Sequence, residues 1–360
     1  MIVRIPRTVS FLRKALAVFY CAFVTISIRY AIMASTEVFN GRKDGVHLVT
    51  NARTMGGFAS ELTTYSDVPS ILWPLLGQKK KVLVEISTAE NYKANDFNFY
   101  GRFAAERKNM DYTYHVNYIK SRQIKQDEII ESYLENAYIT DRNGDICLQS
   151  TQPWIVFTAG AMGSGKSHTL RYLSQQNLFP LKSFVWVDPD DIRHKFPEFN
   201  SYVETHPEMA GELTRSEAGY LSELLTTAAL KQGRNVLVDG SLRDSDWHKL
   251  YFEELRELYP NLRIGILYVT APRAEVFKRA ETRSKITGRV VPKETIELAL
   301  RQVPISVRVL QPLSDFFCEL HNPPSSSAHG IQLHTEDLTW ESFKDTWIQN
   351  CANKNILQDL

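Results

Sequence analysis

Trp154-Ile155-Val156-Phe157-Thr158-Ala159-Gly160-Ala161-Met162-Gly163-Ser164-Gly165-Lys166-Ser167 is the stretch on which the fold turns. Trp154 to Thr158 is a short apolar run, the length of a buried parallel strand. Gly160 to Ser167 fits the phosphate-loop pattern GxxxxGK[ST]. From His168 to Gln176, Leu170 and Leu173 fall on one side of a segment without Gly or Pro, as in an amphipathic helix. A strand feeding a glycine turn feeding a helix aims successive N–H groups at one point, where the helix dipole adds positive potential. Residues Gly160, Ala161, Met162, Gly163, Ser164, Gly165, Lys166, Ser167 and His168 are therefore expected to cradle a nucleoside triphosphate, ATP or GTP. Lys166 is expected on the β- and γ-phosphates and the Ser167 hydroxyl on Mg²⁺.

Beyond this unit the chain alternates strand and helix. Phe184–Val187 ends at Asp188, Asn235–Val238 ends at Asp239, and Ile264–Val269 closes at Ala271-Pro272. A weaker strand is expected at Ile331–Leu333. Helices are expected over Ser216–Lys231, Asp244–Leu258, Arg273–Lys285 and a long one from Pro292. Continuous apolar strands alternating with helices imply a parallel sheet covered on both faces, with the site beyond the carboxyl ends of the strands. The expected class is α/β: a P-loop kinase three-layer sandwich with a parallel sheet of about five strands, a helical lid and an N-terminal extension.

The 360 residues, with a net charge of +1, allow one large domain and a smaller one, and give no electrostatic signal for nucleic acid. Cys21, Cys147, Cys318 and Cys351 are scattered and read as reduced thiols. In residues 1–36 the only charges are Arg4, Arg7, Arg13, Lys14 and Arg29, around an apolar run of 14 residues, Ala15–Ile28. That run is short of the roughly 20 needed to span a bilayer. A secretory signal or membrane anchor, a mitochondrial presequence and an over-extended start before Met33 all stay open, so the location reads as cytoplasmic or mitochondrial, or membrane-associated through residues 15–28. Residues 37–150 form a region of unclear fold. Within it Gln78–Lys81 is basic, Val82–Ile86 reads as a strand, and Tyr112–Leu134 shows helical spacing and is expected to pack on the core. The kinase-like domain is placed at 151–345 and a tail at 346–360.

Two strand ends carry acids. Asp188-Pro189-Asp190-Asp191 puts three carboxylates past one strand, and one of them, taken as Asp191, is expected only to cap the following helix. Asp239-Gly240-Ser241-Leu242-Arg243 follows another, and Asp239 there is a second candidate for Mg²⁺. Positive charge is expected from the segment Arg273–Arg289. Arg279 follows Glu275, and Lys285 follows Glu281, at the spacing of a helix-surface ion pair. Arg283 has no acid at that spacing, and Arg289 follows Gly288, so both suit a lid that closes over phosphates.

Taken together, Gly160–Ser167, Val187–Phe199, Val238–Arg243 and Ala271–Pro304 resemble the zeta toxin family of P-loop kinases, which phosphorylate the 3′-hydroxyl of the amino sugar in UDP-N-acetylglucosamine. The resemblance covers roughly residues 154–320. It implies that Asp190, followed by Pro197-Glu198-Phe199, is the base that deprotonates the acceptor. It implies that Arg283 and Arg289 clamp the transferring phosphoryl group. The family's Glu-Gly-Thr substrate motif becomes Asp239-Gly240-Ser241 here, which leaves the exact acceptor open. The expected catalytic set is Asp190, Lys166, Arg283 and Arg289, with Asp188, Asp239, Ser241 and Arg243 toward the acceptor and Ser167 and Asp239 toward the metal. The expected ligands are a nucleoside triphosphate and a small-molecule acceptor, and no antitoxin-like partner is identified. The alternatives are a P-loop kinase for another nucleotide or polynucleotide end, and a non-catalytic ATP-binding regulator.

Overall fold

The computed structural model describes residues 83–140, 146–147, 150–287, 291–324, 326–327 and 329–348. The apolar run 15–28, the basic residues 78–81, the expected turn at Asn143-Gly144 and Arg289 lie outside the described residues.

The described residues begin with two short helices, α1 (Thr88–Asn91) and α2 (Ala104–Lys108), and a longer α3 (Lys120–Leu134). A small antiparallel pair follows, β1 (Ile139–Thr140) and β2 (Ile146–Cys147). The alternating part then runs β3 (Trp154–Ala159), α4 (Lys166–Gln175), β4 (Phe184–Val187), α5 (Pro189–His194), α6 (Phe199–Thr205), α7 (Ala210–Leu213), α8 (Arg215–Lys231), β5 (Asn235–Val238), α9 (Ser245–Leu258) and β6 (Arg263–Thr270). It closes with α10 (Arg273–Thr287), α11 (Lys293–Leu310), β7 (Phe316–His321), β8 (Gln332–Leu333) and α12 (Trp340–Thr346).

The main sheet has the order β4-β5-β3-β6-β7-β8. Every pairing from β4 through β7 is parallel, and β8 joins β7 antiparallel. Because strand side chains alternate, β3 sends Ile155, Phe157 and Ala159 to one face and Trp154 and Val156 to the other. All five are buried, which is why this strand reads as an unbroken apolar run. Helices α8, α9 and α11 supply the first face's core, while α4 and α12 supply the second. Burying each such aliphatic or aromatic side chain contributes about 1.5–3 kcal/mol.

Three expectations need correction. The fifth parallel strand is Phe316–His321, hidden in the sequence by Glu319 and His321, and the expected strand at Ile331–Leu333 is the antiparallel edge β8. Leu83–Ile86 forms a turn, not a strand, closed by Ile86 N–H donating to Leu83 O. Helix α3 starts at Lys120, because Tyr92 and Lys93 pair with the Tyr118–Ile119 backbone and hold that stretch extended.

The first half of the inner face of α3 is polar, with Arg122, Gln123, Gln126 and Asp127 buried. Arg122 is buried between Glu217 and Glu198, with Nε 2.6 Å from Glu217 Oε1 and Nη2 2.7 Å from Glu198 Oε1. Its guanidinium also lies over the Tyr92 ring, 4.1 Å from the centroid. Deeper still, Arg107 pairs with Asp127 at 2.6 Å. This region thus docks through the desolvated Arg122–Glu217 and Arg122–Glu198 pairs together with an apolar end, where Ile129, Ile130 and Leu134 join the main core as expected. Cys318 is a free, buried thiol, pushed up to about 12 by burial. No helix among the described residues is long and apolar enough to cross a membrane.

Candidate active site

The strand order sets out the site. β5 lies between β3 and β4, so the acid that ends β5, Asp239, emerges between the loop after β3 and the acids after β4. Its N–H donates to Val187 O at 2.9 Å, and the Gly160 N–H donates to Ser241 O at 3.2 Å. The three strand ends are stitched together at the carboxyl edge of the sheet, where such folds bind ligands.

The loop between β3 and α4 is tightly supported from behind. Gly163 has φ 94°, and a Cβ there would lie 2.2 Å from Val276 O of α10. Gly165 has φ 89°, and a Cβ there would lie 2.0 Å from Asn322 Nδ2. Only glycine meets both conditions. Asn322 is buried just past β7 and donates to Ser164 O at 2.9 Å. Arg279 of α10 donates to Pro323 O at 2.6 Å and to Ser164 O at 3.4 Å. Beside this support lies a cavity of about 100 Å³, lined by Ala161, Ser164, Tyr268, Val276, Leu300 and Val303 among others.

In front of the loop, charged and hydroxyl groups converge. Ser167 Oγ donates to Asp239 Oδ2 at 3.0 Å, and Thr158 Oγ1 donates to Asp239 Oδ1 at 2.9 Å. Lys166 Nζ donates to Gly160 O at 3.1 Å, and burial pushes its ammonium below the ordinary lysine value, with Asp239 opposing. Asp188 caps α5 by accepting from the Asp190 N–H at 2.8 Å. Burial, then the charges of Asp239 and Asp190, raise its carboxyl to about 6. Asp190 sits in the first turn of α5, with Arg283 Nη2 3.0 Å from Oδ2 and Arg193 Nη2 3.4 Å from Oδ1. Asp191 accepts a hydrogen bond from Tyr133 Oη of α3. An anion-binding loop, an oxygen pair suited to a metal, and a carboxylate under an arginine therefore share one cleft.

A family model described as Zeta toxin matches residues 136–316, half of the chain. The chain belongs to the zeta toxin family of P-loop kinases. None of the curated proteins matches it. Among solved structures, one described as the PezAT chromosomal toxin–antitoxin system of Streptococcus pneumoniae is 20% identical, covers 64% of this chain and 87% of that one, and has a TM-score of 0.46. The AvrRxo1-ORF1:-ORF2 complex with ATP is 12% identical, with 69% and 75% covered and a TM-score of 0.49. A putative kinase from Chloroflexus aurantiacus is 15% identical, with 54% and 93% covered and a TM-score of 0.37.

In this zeta toxin chain Lys166, Ser167, Asp188, Asp190, Asp239 and Arg283 come together, while Arg289 falls outside the described residues. His168 is exposed on the first turn of α4, and Met162 and Arg243 are half-buried. Ser241 contributes its carbonyl to the Gly160 N–H, and the next residue, Leu242, is buried at φ 53°. The helix cap is Asp188, not Asp191, because Pro189 occupies the first helical position and makes Asp188 the preceding extended residue. The expected pairs Arg279–Glu275 and Lys285–Glu281 form at 3.6 and 2.8 Å. Arg279 does more than that, since it ties the loop to Pro323. Asn322, Thr158 and Tyr133 were not anticipated. Asn322-Pro323 after a strand was a usable cue, but nothing local marks Thr158 or Tyr133.

Proposed function

We propose that this zeta toxin family member is an ATP- (or GTP-) and Mg²⁺-dependent kinase that transfers the γ-phosphoryl group to a hydroxyl of a small molecule, with a nucleotide sugar such as UDP-N-acetylglucosamine as acceptor. One juxtaposition carries the reading: the Ser167–Asp239 pair and the Asp190–Arg283 pair face the same cleft. A pure nucleotide binder has no use for a carboxylate beneath an arginine at that place.

Ser167 Oγ and Asp239 Oδ2 are hard oxygens 3.0 Å apart, the kind that hold Mg²⁺ together with water and phosphate oxygens. Among the described residues there is no cluster of three or more His, Cys, Asp or Glu side chains that could hold a metal by itself. When bound, the ion neutralises charge on the β- and γ-phosphate oxygens. The N–H groups of Gly163 to Ser167 and the Lys166 ammonium bind the phosphates. Asp190 accepts the acceptor's hydroxyl proton as the new O–P bond forms and the bond from the γ-phosphorus to the β-bridging oxygen breaks. Arg283, with Arg289, stabilises the charge on the phosphoryl group in flight. Asp188, Ser241 and Arg243 border the acceptor's side.

The test is purified full-length protein with radiolabelled ATP and Mg²⁺ against UDP-N-acetylglucosamine, other nucleotides and oligonucleotide ends. Label should pass to the nucleotide sugar, and Asp190→Asn should abolish transfer while a fluorescent ATP analogue still binds. ATP binding without transfer to any acceptor would favour the regulator class, and normal transfer by Asp190→Asn would remove the base assignment.

A further inference from the structure

Three carboxylates, Asp188, Asp190 and Asp191, lie within four residues just past β4. Each is held differently. Asp188 is turned back on its own helix by the Asp190 N–H at 2.8 Å. Asp190 lies between Arg193 at 3.4 Å and Arg283 at 3.0 Å. Asp191 is exposed on α5 and is engaged by Tyr133 Oη, which reaches it from α3 across 58 residues of sequence. The half-buried Tyr133 ring packs against the core on one side and has the Lys195 ammonium 5.0 Å from its centroid. A ring held against the core has little conformational freedom left to lose when its hydroxyl bonds a partner.

We infer that Tyr133 is a positioning residue of the phosphoryl-transfer site, holding Asp191 aside so that Asp190 alone meets Arg283 and the acceptor hydroxyl. The inference rests on the kinase reading above. Without that bond, Asp191 is a free carboxylate one residue from the base. It can then compete for the Arg283 guanidinium and place a second negative charge against the incoming phosphates. Asp188 feels the charges of Asp239, Asp190 and Asp191, Asp190 meets Arg193 and Arg283, Lys195 lies over the Tyr133 ring, and Lys166 feels Asp239, Arg283, Asp188 and Asp190. Their balance is what an unrestrained Asp191 disturbs. The region before the phosphate loop is thereby part of the catalytic apparatus and not an appendage to it.

The experiment measures kcat and KM of the full chain with ATP, Mg²⁺ and UDP-N-acetylglucosamine for wild type, Tyr133→Phe, Asp191→Asn and the double variant. Loss of one solvent-exposed hydrogen bond should lower kcat of Tyr133→Phe by roughly three- to tenfold. KM for ATP and the melting temperature should stay near wild type. Adding Asp191→Asn should restore kcat, since an amide carries no competing charge. Tyr133→Phe with wild-type kcat overturns the proposal, as does a loss that Asp191→Asn fails to rescue, which would mark a packing role. If wild type transfers no phosphate to UDP-N-acetylglucosamine or to any of the other nucleotide and oligonucleotide acceptors named above, the kinase reading fails and takes this proposal with it.

Discussion

Arg283 of α10 and Asp190 of α5 form an ion pair, Nη2 to Oδ2 at 3.0 Å, that joins the helix after β6 to the helix after β4. The partners come from segments 93 residues apart. The Arg283 side chain is 53% exposed, so the bond adds little to stability. Its geometry matters more: the guanidinium already stands over the carboxylate that would receive the acceptor's proton.

Replacing Arg283 by Ala should therefore leave the melting temperature almost unchanged and lower turnover by about ten- to a hundredfold. Steady-state kinetics beside differential scanning calorimetry checks both halves. A large fall in stability with full turnover would reverse the assignment.

Asp239→Asn should raise the Mg²⁺ concentration needed for half-maximal activity by about tenfold or more, because it removes the charge from the Ser167–Asp239 oxygen pair. The amide still accepts from Thr158, so the β5 turn should survive. An unchanged Mg²⁺ titration places the metal elsewhere.

Asp188 should set a pH dependence of stability. Its carboxyl titrates at about 6 in the folded chain and near 3.8 when unfolded, so its charged form disfavours folding. That cost is complete above pH about 6, fades as pH falls, and is gone below about 4. Asp188→Asn keeps the helix cap and loses the charge. The variant should melt higher than wild type at pH 8 and converge with it at pH 4, which thermal unfolding at the two pH values measures. Equal curves at pH 8 would refute the burial argument.

Gly165→Ala should cripple the phosphate loop. It forces a side chain to φ 89° and sets a Cβ 2.0 Å from Asn322 Nδ2. Yielding would break the buried bond from Asn322 to Ser164 O, so about 2 kcal/mol or more is lost from clash and strain together. The double variant with Asn322→Ala relieves the clash but not the φ strain, so chemical denaturation should show only partial recovery.

Arg122→Met should cost about 3–5 kcal/mol, because it leaves Glu198 and Glu217 buried without their cation. Urea unfolding reads the loss directly. Adding Glu198→Gln and Glu217→Gln to the same chain should recover part of it. A change below about 1 kcal/mol would mean the network is effectively solvated.

The sequence determined this protein's sheet-forming segments and its phosphate loop, because both are local. Unbroken apolar runs such as Val236–Leu237 and glycines required at fixed offsets leave the same trace wherever they lie. It also marked Asp190, Asp239 and Arg283 as chemistry-bearing, from charge at strand ends and an arginine without a helical partner. The tertiary structure alone decided which of those charges meet. β5 inserts between β3 and β4, and that ordering, invisible in any window of sequence, brings Asp239 to Ser167 and makes Asp188 a carboxylate with a raised pKa. It alone made Phe316–His321 a parallel strand, since the pairing with β6 outweighs the polar residues within it. It alone gave α3 its distant polar partners, the buried Glu217 for Arg122 and the exposed Asp191 for Tyr133, 95 and 58 residues away. Long-range pairing between charged groups has no period to detect, because the energy comes from desolvated geometry and not from any pattern along the chain.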